Sequence, residues 1–452
     1  MKTSYGAPEG PDAAHPDLIL CFGDLAKTEA GVGNRMRLKT ILNRVQKFKS
    51  FVYQDARWDT TLAGGLRVIV TVVARANRRP ICSVCEKVGP GYDTMKPRRF
   101  EFIPIWNIPV LFEYAVRRVD CPSCGVRAEK LPWASGKRTL TTVYMQFLAH
   151  WARKLSWKEV AVSFHTTWDK VYQSVEYVVG WGLKHREIGM IFAIGVDEIA
   201  YGKGHQKYLT LVYEIDDLTR LLWVGKERTV KTFEQFFTMI GEATAAKIEF
   251  VCSDMWKPYL NVIRKRCSAA LHILDRFHIV AKMNKALDKV RANEARKLKL
   301  DGDEALKKSR WCFLKRKKNL TSEQRFRLRD LLQQNLKTVR AYLLKEVFQE
   351  FWEYTSPAWA GKFLDEWCRQ TMRSRIEPMK KIAGMLRTHR GLILNYFKAR
   401  KVFSSGIIEG LNNKAKLTMR KSYGFRSFRV TELALYHSLG KLPEPELTHK
   451  FY

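Results

Sequence analysis

The stretch that decides the fold runs from residue 190 to residue 254. It contains "MIFAIGVDEIA" (190–200), "KYLTLVYEID" (207–216), "RLLWVGKER" (220–228), "TVKTFEQFFTMIGEATAA" (229–246) and "KIEFVCSD" (247–254). The first three are apolar runs divided by the turn signals "YGKGHQ" and "DDLT", a pattern that predicts an antiparallel meander. The fourth has Phe233, Phe236/Phe237 and Ile240 at helical spacing, so it predicts an amphipathic helix facing inward. A strand follows, and after it a helix "PYLNVIRKRC", a strand "ALHILD" and a helical start "RFHIVAKMNKAL".

Three strands, helix, strand, helix, strand, helix is the succession of a ribonuclease-H-like fold, a mixed α/β sheet with helices on both sides. In such a sheet the first and fourth strands are neighbours. Asp197, at the end of the first, and Asp254, which closes the fourth, would therefore lie close together. Two carboxylates so placed repel each other unless divalent ions neutralise them, and oxygen ligands favour Mg²⁺ or Mn²⁺. Such a pair of ions serves phosphoryl transfer.

A third acid is needed, and "KVFSSGIIEGLNNKAKLTMRKSYGFRSFR" (401–429) offers Glu409 amid many cations. Read as a helix from about Ser405, Ile408, Leu411, Ala415 and Met419 form an apolar stripe. Glu409, Asn412/Asn413, Lys416 and Arg420, with Lys421 beyond, fall on the adjoining polar face. Taken alone, Glu409 suits either a surface pair with Asn413 or Lys416, or a metal ligand. Asp275, at the end of the last strand, competes for the same role. Its neighbours His272 and His278 read as structural.

Outside this core the chain divides by composition. Residues 1–75 have no assignable chemistry. Residues 76–135 form a short-stranded β module with two C-x2-C pairs, Cys82/Cys85 and Cys121/Cys124, separated by 35 residues. Four thiolates in two knuckles hold one structural Zn²⁺ in a closed site without a position for water. Residues 136–187 contain "LSWKEVAVSFHTTWDKVYQSVEYVV" (155–179), with a Ser156/Glu159 capping box, a turn "HTT" and a second helix with Val171, Val175 and Val178/Val179 on one face. This is a candidate helix-turn-helix, with Lys170 on the helix offered to DNA. Residues 282–398 read as a helical, basic insertion between two parts of the core, 188–281 and 399–440, and 441–452 as a tail. From Arg276 to Glu350 there are 21 Lys and Arg against nine Asp and Glu. Lys315, Arg316, Lys317 and Lys318 stand in a row there.

The totals agree with a nucleic-acid enzyme. In 452 residues, 80 Lys and Arg face 45 Asp and Glu, a net +35 and pI near 9.9, which points to a polyanionic partner. With 46% hydrophobic residues the chain is globular rather than disordered. The N-terminus has no secretory pattern, and "LRVIVTVVA" (66–74) is half a membrane span and reads as a strand. Nine cysteines without a signal argue for a reducing compartment, with Cys21, Cys252, Cys267, Cys312 and Cys368 as core filler.

"GVDEIAYGKGHQKYLTLVYEIDDLTRLLWV", "CSDMWKPYL", "HILDRFHIVAKMNKAL" and "SGIIEGLNNKAKLTMRKSYGFRSF" together resemble the insertion-sequence DDE transposases of the ISL-three group in bacteria. The cysteine pairs and the helix-turn-helix resemble that group's N-terminal region, so the likeness covers about 76–440. It implies a triad of Asp197, Asp254 and Glu409 on two Mg²⁺ or Mn²⁺ ions per active site. It further implies cleavage of element-end DNA and joining of its 3′-hydroxyl ends to target DNA. Double-stranded DNA, a homo-oligomer (a dimer) on that DNA, and a cytoplasmic, nucleoid-associated protein with no membrane contact complete the expectation. A non-catalytic zinc-containing regulator with a decayed core, a structure-selective nuclease or resolvase, and an RNA-binding protein are the alternatives.

Overall fold

The computed structural model describes residues 38–61, 64–201, 208–216, 218–401, 405–422, 425 and 427–446. Cys21, the first 37 residues and most of the "YGKGHQ" turn lie outside them. The described elements, in chain order, begin with α1 (Leu38–Val45), β1 (Phe51–Thr60), β2 (Leu66–Ala74), β3 (Gly91–Ile105), β4 (Ile108–Cys121) and β5 (Gly125–Ala128). These five strands form one sheet, ordered β1-β2-β4-β3 with β5 on β4. Its core gathers Phe51, Phe100, Phe112 and Tyr114 around the fully buried Trp133.

This corrects the expected start of the β module at residue 76. β2 pairs with β4 in parallel, Val68 opposite Val110, so the sheet crosses that boundary and takes in Phe51–Ala74. Local pattern marks β2 as a strand, but its partner lies about forty residues onward, and partner choice is not a local property.

Three helices follow: α2 (Thr142–Lys154), α3 (Trp157–Ser163) and α4 (Trp168–His185). The Ser156/Glu159 capping box is present and starts α3, and α4 buries Val171, Val175, Val178 and Val179. These helices are no free-standing unit. They belong to the same apolar core as the chain's C-terminal half, and Arg153 of α2 donates to the His437 carbonyl.

The second sheet contains β6 (Ala193–Ala200), β7 (Tyr208–Glu214), β8 (Arg220–Lys226), β9 (Phe250–Ser253) and β10 (Leu271–Leu274). Its spatial order is β10-β9-β6-β7-β8: an antiparallel meander with two parallel strands beside its first member. Helices α5 (Val230–Ile240), α6 (Glu242–Ala245) and α7 (Lys257–Arg266) connect these strands. Phe233, Phe236, Phe237 and Ile240 of α5 pack with Ile194, Val196, Val212 and Leu222 on one face of the sheet. The other face is covered by α15 (Ser405–Lys421), which comes after α8 (Arg276–Leu300), α9 (Arg310–Leu314), α10 (Ser322–Leu332), α11 (Lys337–Glu350), α12 (Pro357–Arg373), α13 (Glu377–Thr388) and α14 (Arg390–Lys398). α16 (Phe428–Leu439) ends the fold.

Together these make a mixed α/β molecule with two sheets and a large helical section. α8 runs unbroken through the boundary expected at 281/282. Among the described residues no helix is long and apolar enough to cross a membrane.

Candidate active site

Register places the first two acids. β6 and β9 pair in parallel with Gly195 opposite Cys252, so two residues further on Asp197 stands beside Asp254. β9 and β10 pair with Ser253 opposite Leu274, and the Asp275 amide donates to the Ser253 carbonyl at 2.8 Å, which puts Asp275 beside Asp254 in turn. Three aspartates therefore share one level across three adjacent strands, Asp197 inside β6 rather than at its expected end, and Asp254 and Asp275 one residue past the ends of β9 and β10, with strands about 4.8 Å apart.

Packing places the third element. Gly195 leaves the room that Ile408 of α15 fills: a Cβ there would meet Ile408 side-chain atoms at 2.6 Å. One helical turn beyond Ile408, Asn412 is buried and donates from Nδ2 to Asp197 Oδ2 at 2.5 Å, while its Oδ1 accepts the Tyr213 hydroxyl at 2.9 Å. Ile408, Leu411, Ala415 and Met419 are buried as the stripe predicts. Glu409 lies on the exposed side of the same turn. It forms neither of the surface pairs the sequence allows, since no described group bonds to its carboxylate, and it lines a cavity of about 250 Å³ together with Asp275 and Arg316.

The aspartates are held individually. Asp197 Oδ1 also accepts the Glu198 amide at 2.7 Å, and His278 Nε2 stands 3.6 Å from Asp197 and 3.7 Å from Asp275. The Asp197 carboxylate raises the His278 pKa to about 8 against the opposing effect of burial. Asp254 accepts the Trp256 amide at Oδ1 and the Arg228 guanidinium at Oδ2, at 2.9 and 3.0 Å. Arg228 lies 4.3 Å over the Trp256 ring and 2.5 Å from Glu198 Oε1. Burial, and then the nearby Asp254, push Glu198 up to about 7.

Sequence reasoning missed Glu198 and Arg228 as supporting groups, put Asn412 with Asn413 on the polar face of the helix where the structure buries it, and read His278 as merely structural. The signal for Asn412 was available, four residues after Ile408 on the buried side of the helix. Arg228 could not be found from spacing, because only the folded sheet brings its loop to Asp254. Asp197, Asp254 and Glu409 do not gather their oxygens within 4.8 Å: among the described residues, the one group of three or more ligating side chains that does so is Cys82, Cys85, Cys121 and Cys124.

Those cysteines sit at one end of the N-terminal sheet, Cys121 as the last residue of β4, with Cys85 and Cys121 sulfurs 3.4 Å apart and Cys82 and Cys121 buried. Backbone amides of Cys85 and Val84 lower the Cys82 pKa to about 7, whereas the hydrogen bond with Cys85, aided by burial, pushes Cys124 up to about 12. Four sulfurs this close suit a soft or borderline metal. Cys252, Cys267, Cys312 and Cys368 are buried singly in the core.

The residues expected on DNA fall into two sets. Asn413, Lys416, Arg420, Arg316 and Lys318 are exposed, and none is tied to a described partner. The others are engaged: Lys170 pairs with Glu101 at 2.5 Å, Lys421 donates to the Ala152 and Arg153 carbonyls, Lys315 donates to Gln324, and Lys317 is 3.8 Å from Glu346. On α4 the exposed positions near the turn are Trp168, Asp169 and Gln173 rather than a basic row.

Residues 194–435 match the family model of DDE transposases of the ISL-three group, described simply as transposase. The chain belongs to this transposase family. It is 30% identical over 334 residues to the transposase for insertion sequence element IS1001 of Bordetella parapertussis, a match spanning 73% of this chain and 81% of that protein. With the transposase for insertion sequence element IS1557 of Mycobacterium tuberculosis it shares 29% identity over 407 residues, or 84% of this chain and 90% of the relative. This transposase thus acts on DNA. Its matched segment spans the sheet with Asp197 and Asp254 and the helix with Glu409, and takes in the whole helical section between them.

Proposed function

We propose that this transposase cuts phosphodiester bonds at the ends of its element and joins the freed 3′-hydroxyl ends to target DNA, from a ribonuclease-H-like core in which Asp197, Asp254 and Glu409 hold two Mg²⁺ or Mn²⁺ ions. The observation that carries the reading is the register that sets Asp197 beside Asp254, supported by α15, which is anchored over Gly195 and carries Glu409 into a cavity with Asp275. The strand order β10-β9-β6-β7-β8 supports the core assignment. The donor set fits: it offers carboxylate oxygens and no sulfur, as hard divalent ions require. Bound there, such ions activate the attacking hydroxyl and stabilise the leaving oxygen.

The chain's own residues prepare that chemistry. Asn412, fixed by Tyr213, turns the Asp197 carboxylate, and Arg228 with the Trp256 amide fixes that of Asp254. Asn413, Lys416 and Arg420 lie along the exposed side of α15, where they can bind phosphates flanking the reacting one. Cys82, Cys85, Cys121 and Cys124 would hold one structural Zn²⁺, and the helix-turn-helix and basic insertion would contact element ends. The enzyme would work as a dimer on DNA, in the cytoplasm with the nucleoid.

The test is strand cleavage of a duplex carrying an element end, with Mg²⁺. Asp197→Asn, Asp254→Asn and Glu409→Gln are each expected to slow cutting by about 10³-fold or more while the end is still bound. Cutting at the wild-type rate by Asp197→Asn would overturn the reading. One observation favours a second assignment of the third ligand: Asp275 shares the strand level and the His278 contact. If Asp275→Asn is inactive and Glu409→Gln is not, the third ligand is Asp275.

A further inference from the structure

The run Lys315–Lys318 reads in sequence as four equivalent surface charges, yet the fold separates them. Phe313 is fully buried against Tyr342, and its carbonyl accepts the buried Lys345 ammonium at 3.0 Å. Leu320 is buried on the other side. Arg316, between these anchors, is the member of the run that lines the cavity shared by Glu409 and Asp275. The other arginine there, Arg276, lies 5.2 Å over the Trp352 ring. The Arg316 guanidinium forms no ion pair or hydrogen bond with any described residue, although two carboxylates line the same cavity.

We propose that Arg316 is a catalytic residue, contacting the non-bridging oxygens of the phosphodiester that is cut. The inference rests on the reading of Asp197, Asp254 and Glu409 given above. The carboxylates would be taken up by the ions they hold, so the substrate phosphate is left to be gripped by a cation that the protein does not itself use. A guanidinium offers two parallel donors matched to two phosphate oxygens, which a surface lysine cannot do. Because Arg316 comes from the helical section between α9 and α10, that section completes the active site as well as widening the DNA surface. An end seated without reaching Arg316 would be bound but poorly cut.

The experiment compares two duplexes carrying the element end, one natural and one with a neutral methylphosphonate at the cut position, binding to the full chain in Ca²⁺. The wild type is expected to lose about tenfold in affinity on neutralisation, the loss of one charged contact. Arg316→Ala is expected to distinguish the two duplexes several-fold less than the wild type does, keeping only the part owed to Ca²⁺ at the carboxylates. Lys318→Ala, from the same run but outside the cavity, is expected to bind more weakly overall and still distinguish the two. In Mg²⁺, Arg316→Ala should cut bound natural ends about 10²-fold more slowly, with Arg316→Lys intermediate. Arg316→Gln serves as a second neutral variant, and thermal melting establishes that each variant folds.

The proposal fails if Arg316→Ala and Arg316→Gln still discriminate the methylphosphonate as the wild type does, or cut bound ends at its rate. That failure is separable from failure of the underlying reading, in which Asp197→Asn and Glu409→Gln would themselves cut normally.

Discussion

At the scale of single residues, the acids depend on neighbours that neither ligate nor cut. Asn412 is the clearest, since it donates to Asp197 and accepts from the buried Tyr213 hydroxyl. Asn412→Ala is expected to leave that hydroxyl unpaired, at a cost of about 1–3 kcal/mol in denaturant unfolding, and to slow cutting more than end binding. His272 makes a prediction about pH. It is buried with Nε2 2.8 Å from Ser253 Oγ, and burial lowers its pKa to about 4, with Arg264 and His389 adding to the effect. The unfolded chain therefore takes up this proton first as pH falls. The contribution of His272 is fully present above about pH 6.5 and is lost between there and about pH 4, up to about 3 kcal/mol. His272→Gln should flatten the decline in unfolding free energy measured across that range.

At the scale of elements, the site is a contact between one strand and one helix that are more than two hundred residues apart. Gly195 on β6 is the point of closest approach. Gly195→Ala would place a methyl group into Ile408 at 2.6 Å and near Ile215 at 3.0 Å, so α15 must shift. The expected result is a loss of about 1–3 kcal/mol in stability, together with slower cutting because Asn412 and Glu409 move with the helix. A simultaneous Ile408→Val, which removes one of the clashing atoms, should recover part of both. Recovery of stability without any recovery of cutting would separate packing from alignment.

At the scale of the molecule, the +35 charge sets how strongly the transposase holds DNA, and the fold decides which cations take part. Affinity for an element end should fall linearly on a log–log plot against salt, as counterions are released. Lys416→Ala and Arg420→Ala, which remove exposed cations with no partner among the described residues, are each expected to reduce that slope by about one. Lys170→Ala is expected to leave it unchanged, because Lys170 is already paired with Glu101. A slope reduced by Lys170→Ala to the same extent would mean that this pair opens on DNA.

The order of strands and helices, the neighbouring positions of Asp197 and Asp254, the apolar stripe of α15 and the paired cysteines were all legible in the sequence. All but one follow from a local rule, a period of two or 3.6, a capping residue or a short ligand spacing, whereas the pairing of Asp197 with Asp254 followed from the fold that the order of elements matched. Other features were decided only by the tertiary structure. β2 joined a sheet beyond the expected boundary, Lys170 and Lys421 were taken up by internal contacts, Arg228 and His278 were brought to the aspartates, and Arg316 was set apart from its three basic neighbours. The physical reason is common to them all. Periodicity says which face of an element is buried, but a polar or charged side chain is assigned its role by whichever group, distant in sequence, the packing places within reach of it.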